Sequence, residues 1–174
     1  GSVACAEALR SLGVPAQIKW PNDIVTVSPR PDKLEIRKLA GLIVERIVQE
    51  QGTPAYILGL GLNVNQNAED LVEKAALTPT SMKLAGGREF DRAAVTAALL
   101  DQMDIWYRRI ALGQNERVLA RWRSLSCLLG RHIGLEYEGR PMVGKVVGIR
   151  GSGELIFEDA TGTRFLLADE KTQL

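Results

Sequence analysis

The stretch from Ile18 to Glu45 constrains the fold most. Lys19-Trp20-Pro21-Asn22-Asp23 sets an ammonium, an indole, a residue of fixed φ, an amide and a carboxylate side by side. Lys38 then opens an apolar run, Leu39 to Val44, that reads as a buried strand. Charge at such points of a strand-rich stretch must be paired or must bind something, because a buried ammonium or carboxylate loses its hydration. The stretch is therefore expected to be the wall of an active site.

The flanking chain supports a mixed α and β organisation. Val3 to Leu12 has helical apolar spacing and stops at Gly13 and Pro15. Gln17 to Trp20 and Ile24 to Val27 read as strands joined by a turn at Pro21-Asn22-Asp23, and Leu34 to Val48 is the longest strand candidate. In Tyr56 to Val64, Gly59 and Gly61 alternate with Leu60 and Leu62 and leave one face of a strand bare. Glycine weakens a strand interior, so its use there suggests close approach of a ligand or of another backbone, with Asn63 and Asn65 on the same side. A helix is expected over Ala68 to Ala76, and a short one over Met82 to Ala85. Asp91 caps a long helix to about Ala111, with Ala94, Val95, Ala98, Leu99, Met103, Ile105 and Trp106 as its apolar face. Asn115 to Leu125 follows, with Val118, Leu119 and Trp122 inward. From Gly130 short alternating runs separated by glycine turns have the rhythm of a small antiparallel barrel, which places a boundary near Leu129.

Composition excludes several functions. The 174 residues carry 22 Lys plus Arg against 21 Asp plus Glu, so the net charge of +1 gives no basis for a nucleic-acid or membrane surface. No apolar run approaches the about 20 residues that span a bilayer. Cys5 and Cys127 lie far apart without a CxxC spacing, which fits a reducing, cytoplasmic setting. His132 is the one histidine, and it reads as an ordinary solvated or satisfied side chain rather than a triad member.

Three motifs in register carry a resemblance. Lys-Trp-Pro-Asn-Asp at 19–23, Lys-Leu-Ala-Gly-Leu-Ile-Val-Glu at 38–45 and Gly-Leu-Gly-Leu-Asn-Val-Asn at 59–65 closely resemble the bacterial biotin–protein ligases (biotin–[acetyl-CoA-carboxylase] ligases). The glycine-punctuated C-terminal segment is similar to that family's SH3-like cap. The resemblance implies an α+β fold, a mixed sheet with helices packed on one face as in class II synthetases and biotin ligases, followed by a small SH3-like β-barrel. Residues 1–129 would form a partial catalytic domain and 130–174 the barrel.

The resemblance also implies chemistry. The family makes biotinyl-5′-AMP from biotin and ATP with Mg²⁺, then transfers biotin to a lysine of a biotin carboxyl carrier domain. One anion attacks another in the first step, which requires fixed positive charge between them. Lys38 corresponds to the family's lysine that contacts biotin and phosphate, and Gly41 would let backbone approach the bicyclic ring. Leu42 and Ile43 alternate, so one faces the biotin pocket (Ile43 in this reading) and the other the core. Asp23 would orient or deprotonate the carrier lysine, Asn22 and Lys19 would shape the turn and its electrostatics, and Trp20 would belong to the binding wall. A simpler role for Lys19 and Asp23 is a local ion pair with each other. Gly61 and Asn63 would lie near the nucleotide phosphates, with the Asn63 carbonyl a suitable oxygen ligand for a mostly hydrated Mg²⁺.

Parts of the family pattern have no counterpart in these residues. They include the Gly-Arg-Gly-Arg-type loop that closes over biotin and phosphates, the upstream strands, the DNA-binding winged helix of repressor-type members, and a tryptophan within Gln66 to Thr80. The chain alone is thus expected to be nearly inactive, with an exposed sheet edge, exposed apolar surface and a tendency to homodimerise. The competing expectation is a non-catalytic scaffold that binds a carrier domain or a nucleotide. A lipoate-ligase relative would share the fold class, but Trp20-Pro21-Asn22-Asp23 favours biotin.

Overall fold

A computed structural model describes residues 1–29, 34–48, 54–71 and 77–167. Helix α1 (Ser2–Ser11) buries Val3, Ala4, Cys5, Ala6, Ala8 and Leu9, small residues that let it lie close on the sheet. Gly13, in a left-handed conformation, turns the chain into the strands. Four strands follow, β1 (Ala16–Lys19), β2 (Asp23–Pro29), β3 (Leu34–Ile47) and β4 (Ala55–Leu62), paired antiparallel in that order. Among the described residues, the parallel component expected of a mixed sheet is confined to two isolated bridges, Ile18 with Ser126 and Lys38 with Pro79.

A 3-10 turn covers Ala68–Asp70, while residues 72–76 of the helix expected there lie outside the described residues. Helix α2 (Met82–Gly86) starts where the Ser81 hydroxyl accepts from the Leu84 N–H and ends at a left-handed Gly87. Helix α3 (Arg92–Ala111) is capped by Asp91 and packs on α1, and α4 (Asn115–Leu125) packs against both. The expected apolar face of α3 is covered only in part. Val95 is buried, Ala98, Leu99, Met103 and Trp106 are half-buried, and Ala94 and Ile105 are exposed. The reason is rotational: Val95, Ala98, Leu99, Met103 and Trp106 recur at helical spacing on one stripe, and Ala94 and Ile105 lie beside it.

The second sheet holds β5 (His132–Tyr137), β6 (Arg140–Ile149), β7 (Leu155–Asp159) and β8 (Gly162–Leu166), antiparallel and paired in sequence order. Leu135, Val146, Ile149, Leu155, Phe157 and Leu166 fill one face. The barrel-like rhythm of the sequence is present as this four-stranded sheet, with no ladder joining β8 to β5 among the described residues. Glu138 and Gly139 both take positive φ (51° and 73°), which the two-residue hairpin between Tyr137 and Arg140 requires.

The two sheets are stitched together beside β1. The Cys127 N–H donates to the Ile18 carbonyl (2.9 Å), and Gly130 donates to Val146 (2.8 Å). The Trp20 indole N–H donates to the Gly153 carbonyl in the β6–β7 turn (3.0 Å). No helix among the described residues is long and apolar enough to cross a membrane.

Two outcomes are expected. Trp20→Phe leaves the Gly153 carbonyl without its donor, and should lower stability by about 1–3 kcal/mol in urea titrations. Both cysteines are free and buried, and burial pushes the Cys5 thiol up to about 12 and the Cys127 thiol up to about 11. Neither should therefore react measurably with a disulfide reagent at pH 8 until the chain unfolds. Fast labelling of either in the native state would contradict that burial.

Candidate active site

A strand alternates its side chains with period two, so Lys38 and Gly41, three residues apart, would ordinarily face opposite sides. Here they share a side. Ile24 pairs with Ala40 but Val25 pairs with Lys38, so Leu39 is an extra residue in β3, a β-bulge. The bulge buries Leu39 and turns Lys38 onto the face of Gly41. Its backbone groups find partners elsewhere. The Lys38 N–H donates to the Thr78 carbonyl (2.9 Å), the Lys38 carbonyl accepts from Thr80 (2.8 Å), and the Leu39 carbonyl accepts from Asn63 (3.0 Å).

Asp23 is directly opposite Gly41, and its carboxylate takes the Lys38 ammonium at 2.6 Å. Both side chains are part-buried. A Cβ on Gly41 would lie 3.3 Å from Lys38 Nζ and 3.7 Å from Asp23 Oδ1, so glycine there leaves room for the ion pair. Gly61 is opposite Gly41 and Gly59 opposite Ile43 on β4. A Cβ at Gly61 would meet nothing, and one at Gly59 only the Ile43 carbonyl at 3.8 Å. The described chain thus gives no packing reason for either glycine. Together they form an open, side-chain-free floor beside a charged pair.

The other expected residues divide. Leu42 is 3% exposed and belongs to the core, while Ile43 is 65% exposed on the glycine side, as the alternation requires. Asn22 is engaged by the fold: its amide donates to the Leu42 carbonyl (2.8 Å), and its own carbonyl accepts from Leu42 (3.0 Å). Trp20 departs from its expected place in a binding wall, being buried with its N–H on Gly153. Asn63 donates its side-chain amide to the Thr80 carbonyl (3.0 Å), which ties β4 to the segment that holds the bulge. Asn65 exchanges two hydrogen bonds with the Phe90 backbone.

The local ion pair open to Lys19 and Asp23 is not formed, since Asp23 faces Lys38 instead. Lys19 is buried, and burial lowers its proton affinity; Asp23 and the Cys127 thiol act to raise it, and Lys38 to lower it. Thr78 and Thr80, which anchor the bulge, escaped the sequence reading because they act through backbone groups that any residue carries.

The site is thus an antiparallel sheet backed by helices, with a lysine–carboxylate pair turned over a glycine floor. The description Biotin/lipoate A/B protein ligase family fits residues 1–63. The chain is 28% identical over 152 residues to the bifunctional ligase/repressor BirA of Bacillus spizizenii, covering 87% of this chain and 44% of that protein. It is 29% identical over 145 residues to the biotin–[acetyl-CoA-carboxylase] ligase of Mycobacterium tuberculosis, covering 81% and 47%. The fold overlays on the biotin protein ligase of Aquifex aeolicus with a TM-score of 0.79 at 22% identity, over 99% of this chain and 70% of that one. Residues 1–63 match that family, and over most of its length the chain is similar to biotin protein ligases. It spans about half the length of the curated relatives it matches.

The two central glycines should respond oppositely to alanine. Gly61→Ala fills open space and replaces a residue that weakens strands, so stability should rise by about 0.5–1 kcal/mol. Gly41→Ala pushes on the Lys38–Asp23 pair and should bring no such gain. Denaturant unfolding of both variants decides, and a stabilising Gly41→Ala would contradict the close approach seen at Lys38.

Proposed function

We propose that this chain carries the lysine–carboxylate part of a biotinyl-adenylate site in a biotin–protein ligase. The observation behind this reading is the Lys38 ammonium, held by Asp23 above Gly41 and next to the open Gly61. In the first step a biotin carboxylate oxygen would attack the α-phosphorus of ATP, with pyrophosphate leaving. Lys38 would lie between the two anions and offset their repulsion. In the second step the amine of a carrier-domain lysine would attack the acyl carbon and release AMP. Asp23 would orient that amine or take its proton, once Lys38 turns to the phosphate.

Gly41, Gly59 and Gly61 would let the ligand lie against backbone, with Ile43 as an apolar flank and Asn22 fixing the turn that carries Asp23. Mg²⁺ fits here only as a companion of the nucleotide phosphates. The described residues hold no cluster of three His, Cys, Asp or Glu side chains, and Asn63 can offer one oxygen while its amide stays on Thr80. ATP and biotin are substrates in this reading, and the carrier domain is the protein partner. The site belongs to a catalytic unit over 1–129, with 130–174 as a bracing domain. A cytoplasmic setting agrees with two free thiols.

One observation favours a second reading. Ile43, Val44, Ile47, Tyr56 and Ile57 are exposed on both faces of β3 and β4, as is Val48 just past β3, and among the described residues β4 is a sheet edge. Such surface suits a scaffold that works only against another polypeptide or a second copy of itself.

Isothermal titration with a non-hydrolysable biotinyl-5′-adenylate analogue separates the two. The ligase reading expects saturable binding that Lys38→Ala weakens at least about tenfold and Gly61→Ala also weakens. Binding indifferent to Lys38→Ala would remove the proposed role of that residue. No binding by folded chain would leave the scaffold reading.

A further inference from the structure

The strand register draws one straight row across the first sheet. Lys19 is opposite Asp23, Asp23 opposite Gly41, and Gly41 opposite Gly61, all on one face because directly opposed residues share a face. The segment after α4 extends the row by one place. Ser126 bridges Ile18 in parallel and the Cys127 N–H donates to the Ile18 carbonyl, which puts Cys127 beside Lys19.

Charge along this row is uneven. Lys38 reaches over Gly41 and is neutralised by Asp23, so the pair alone sums to +1 − 1 = 0. A neutral pair has little reason to attract a carboxylate or phosphate onto the glycine floor. Lys19 changes the sum to +1. It is only 7% exposed, so its charge acts through protein rather than being screened on the surface. No ion pair is formed by Lys19 among the described residues, and the groups that face it are Asp23 on β2, Lys38 on β3 and the Cys127 thiol. A buried ammonium two strands from the ligand floor, with one carboxylate between it and the site lysine, is not explained by packing.

We propose that Lys19 is a positioning residue, sharing Asp23 with Lys38 so that the Lys38 ammonium is free to turn to a carboxylate or phosphate on the glycine floor. For the identity of the anion this rests on the biotinyl-adenylate reading above; the sharing of Asp23 does not. Lys19 touches no reacting atom. It acts through Asp23, keeping that carboxylate from being committed to Lys38 alone.

The test reads Lys38 itself. The intact chain and its Lys19→Met and Lys19→Gln variants are acetylated with an N-hydroxysuccinimide ester at pH 8, and modification of Lys38 is followed by mass spectrometry against the exposed Lys145. Without Lys19, Asp23 holds Lys38 more tightly, and Lys38 should be labelled about fivefold more slowly. Lys19→Arg keeps the charge and should label like the parent. In an Asp23→Asn background the shared group is gone, and Lys19→Gln should have little further effect. A role confined to packing would show as lowered stability with Lys38 labelling unchanged.

Unchanged labelling in folded Lys19→Gln overturns the proposal, and so does an equal effect of Lys19→Gln with and without Asp23. Titration with the adenylate analogue separates the two readings. Slower labelling together with no binding by the parent chain would sink the ligase reading and leave the sharing of Asp23 standing. Equal binding by parent and Lys19→Gln would sink the positioning role and leave the ligase reading.

Discussion

One inserted residue sets the geometry of the site. A regular antiparallel strand would send Lys38 into the layer that buries Ala40 and Leu42, where an ammonium has no partner. Leu39, taken up as a bulge, sends its own side chain to the core and turns Lys38 across Gly41 toward Asp23. A bulge breaks a ladder and leaves backbone groups unpaired. Here Thr78, Thr80 and Asn63 supply those bonds, so the segment leading into α2 holds the bulge in shape. The apolar core, the charged pair and the connection after β4 thus depend on one register shift.

This arrangement separates the polar residues of the motifs into two groups. Asn22, Asn63, Asn65 and Trp20 direct hydrogen bonds into the fold, to Leu42, Thr80, Phe90 and Gly153. They stiffen the turn before β2 and the exit from β4. Lys38 and Asp23 instead form an ion pair, held through charge that a ligand could replace. Gly59 and Gly61 face open space, which a chain optimised for stability alone would fill. Rigid amides around a replaceable ion pair and an unfilled floor are what a pre-organised binding surface needs.

Most of the secondary structure was legible because period-two and helical patterns report burial directly. The strands over 16–19, 23–29, 34–47 and 55–62, and the helix capped by Asp91, fall where alternation and capping place them. The bulge was not legible, since Leu39 differs in no way from an ordinary strand leucine and only the register of β2 reveals it. For the same reason the partner of Asp23 could not be read, because Lys19 is nearer in sequence than Lys38. Trp20 misled by its position in a motif, as an indole suits a ligand and a core equally and only Gly153, 133 residues away, decides.

The second sheet is not a passive appendage in this geometry. Its β6–β7 turn holds Trp20, and the segment leading into it runs parallel to β1 through Ser126 and Cys127. Both contacts fall at the end of β1 where Lys19 enters the charged row and the Asp23 turn begins. The second sheet therefore bears on the buried ammonium and on the turn carrying the carboxylate, while Thr78 and Thr80 hold the Lys38 backbone. The ion pair is thus held from two sides, Asp23 by the turn next to β1 and Lys38 by Thr78 and Thr80, with the β2–β3 ladder between them, so the seating of the second sheet bears on the carboxylate side of the site.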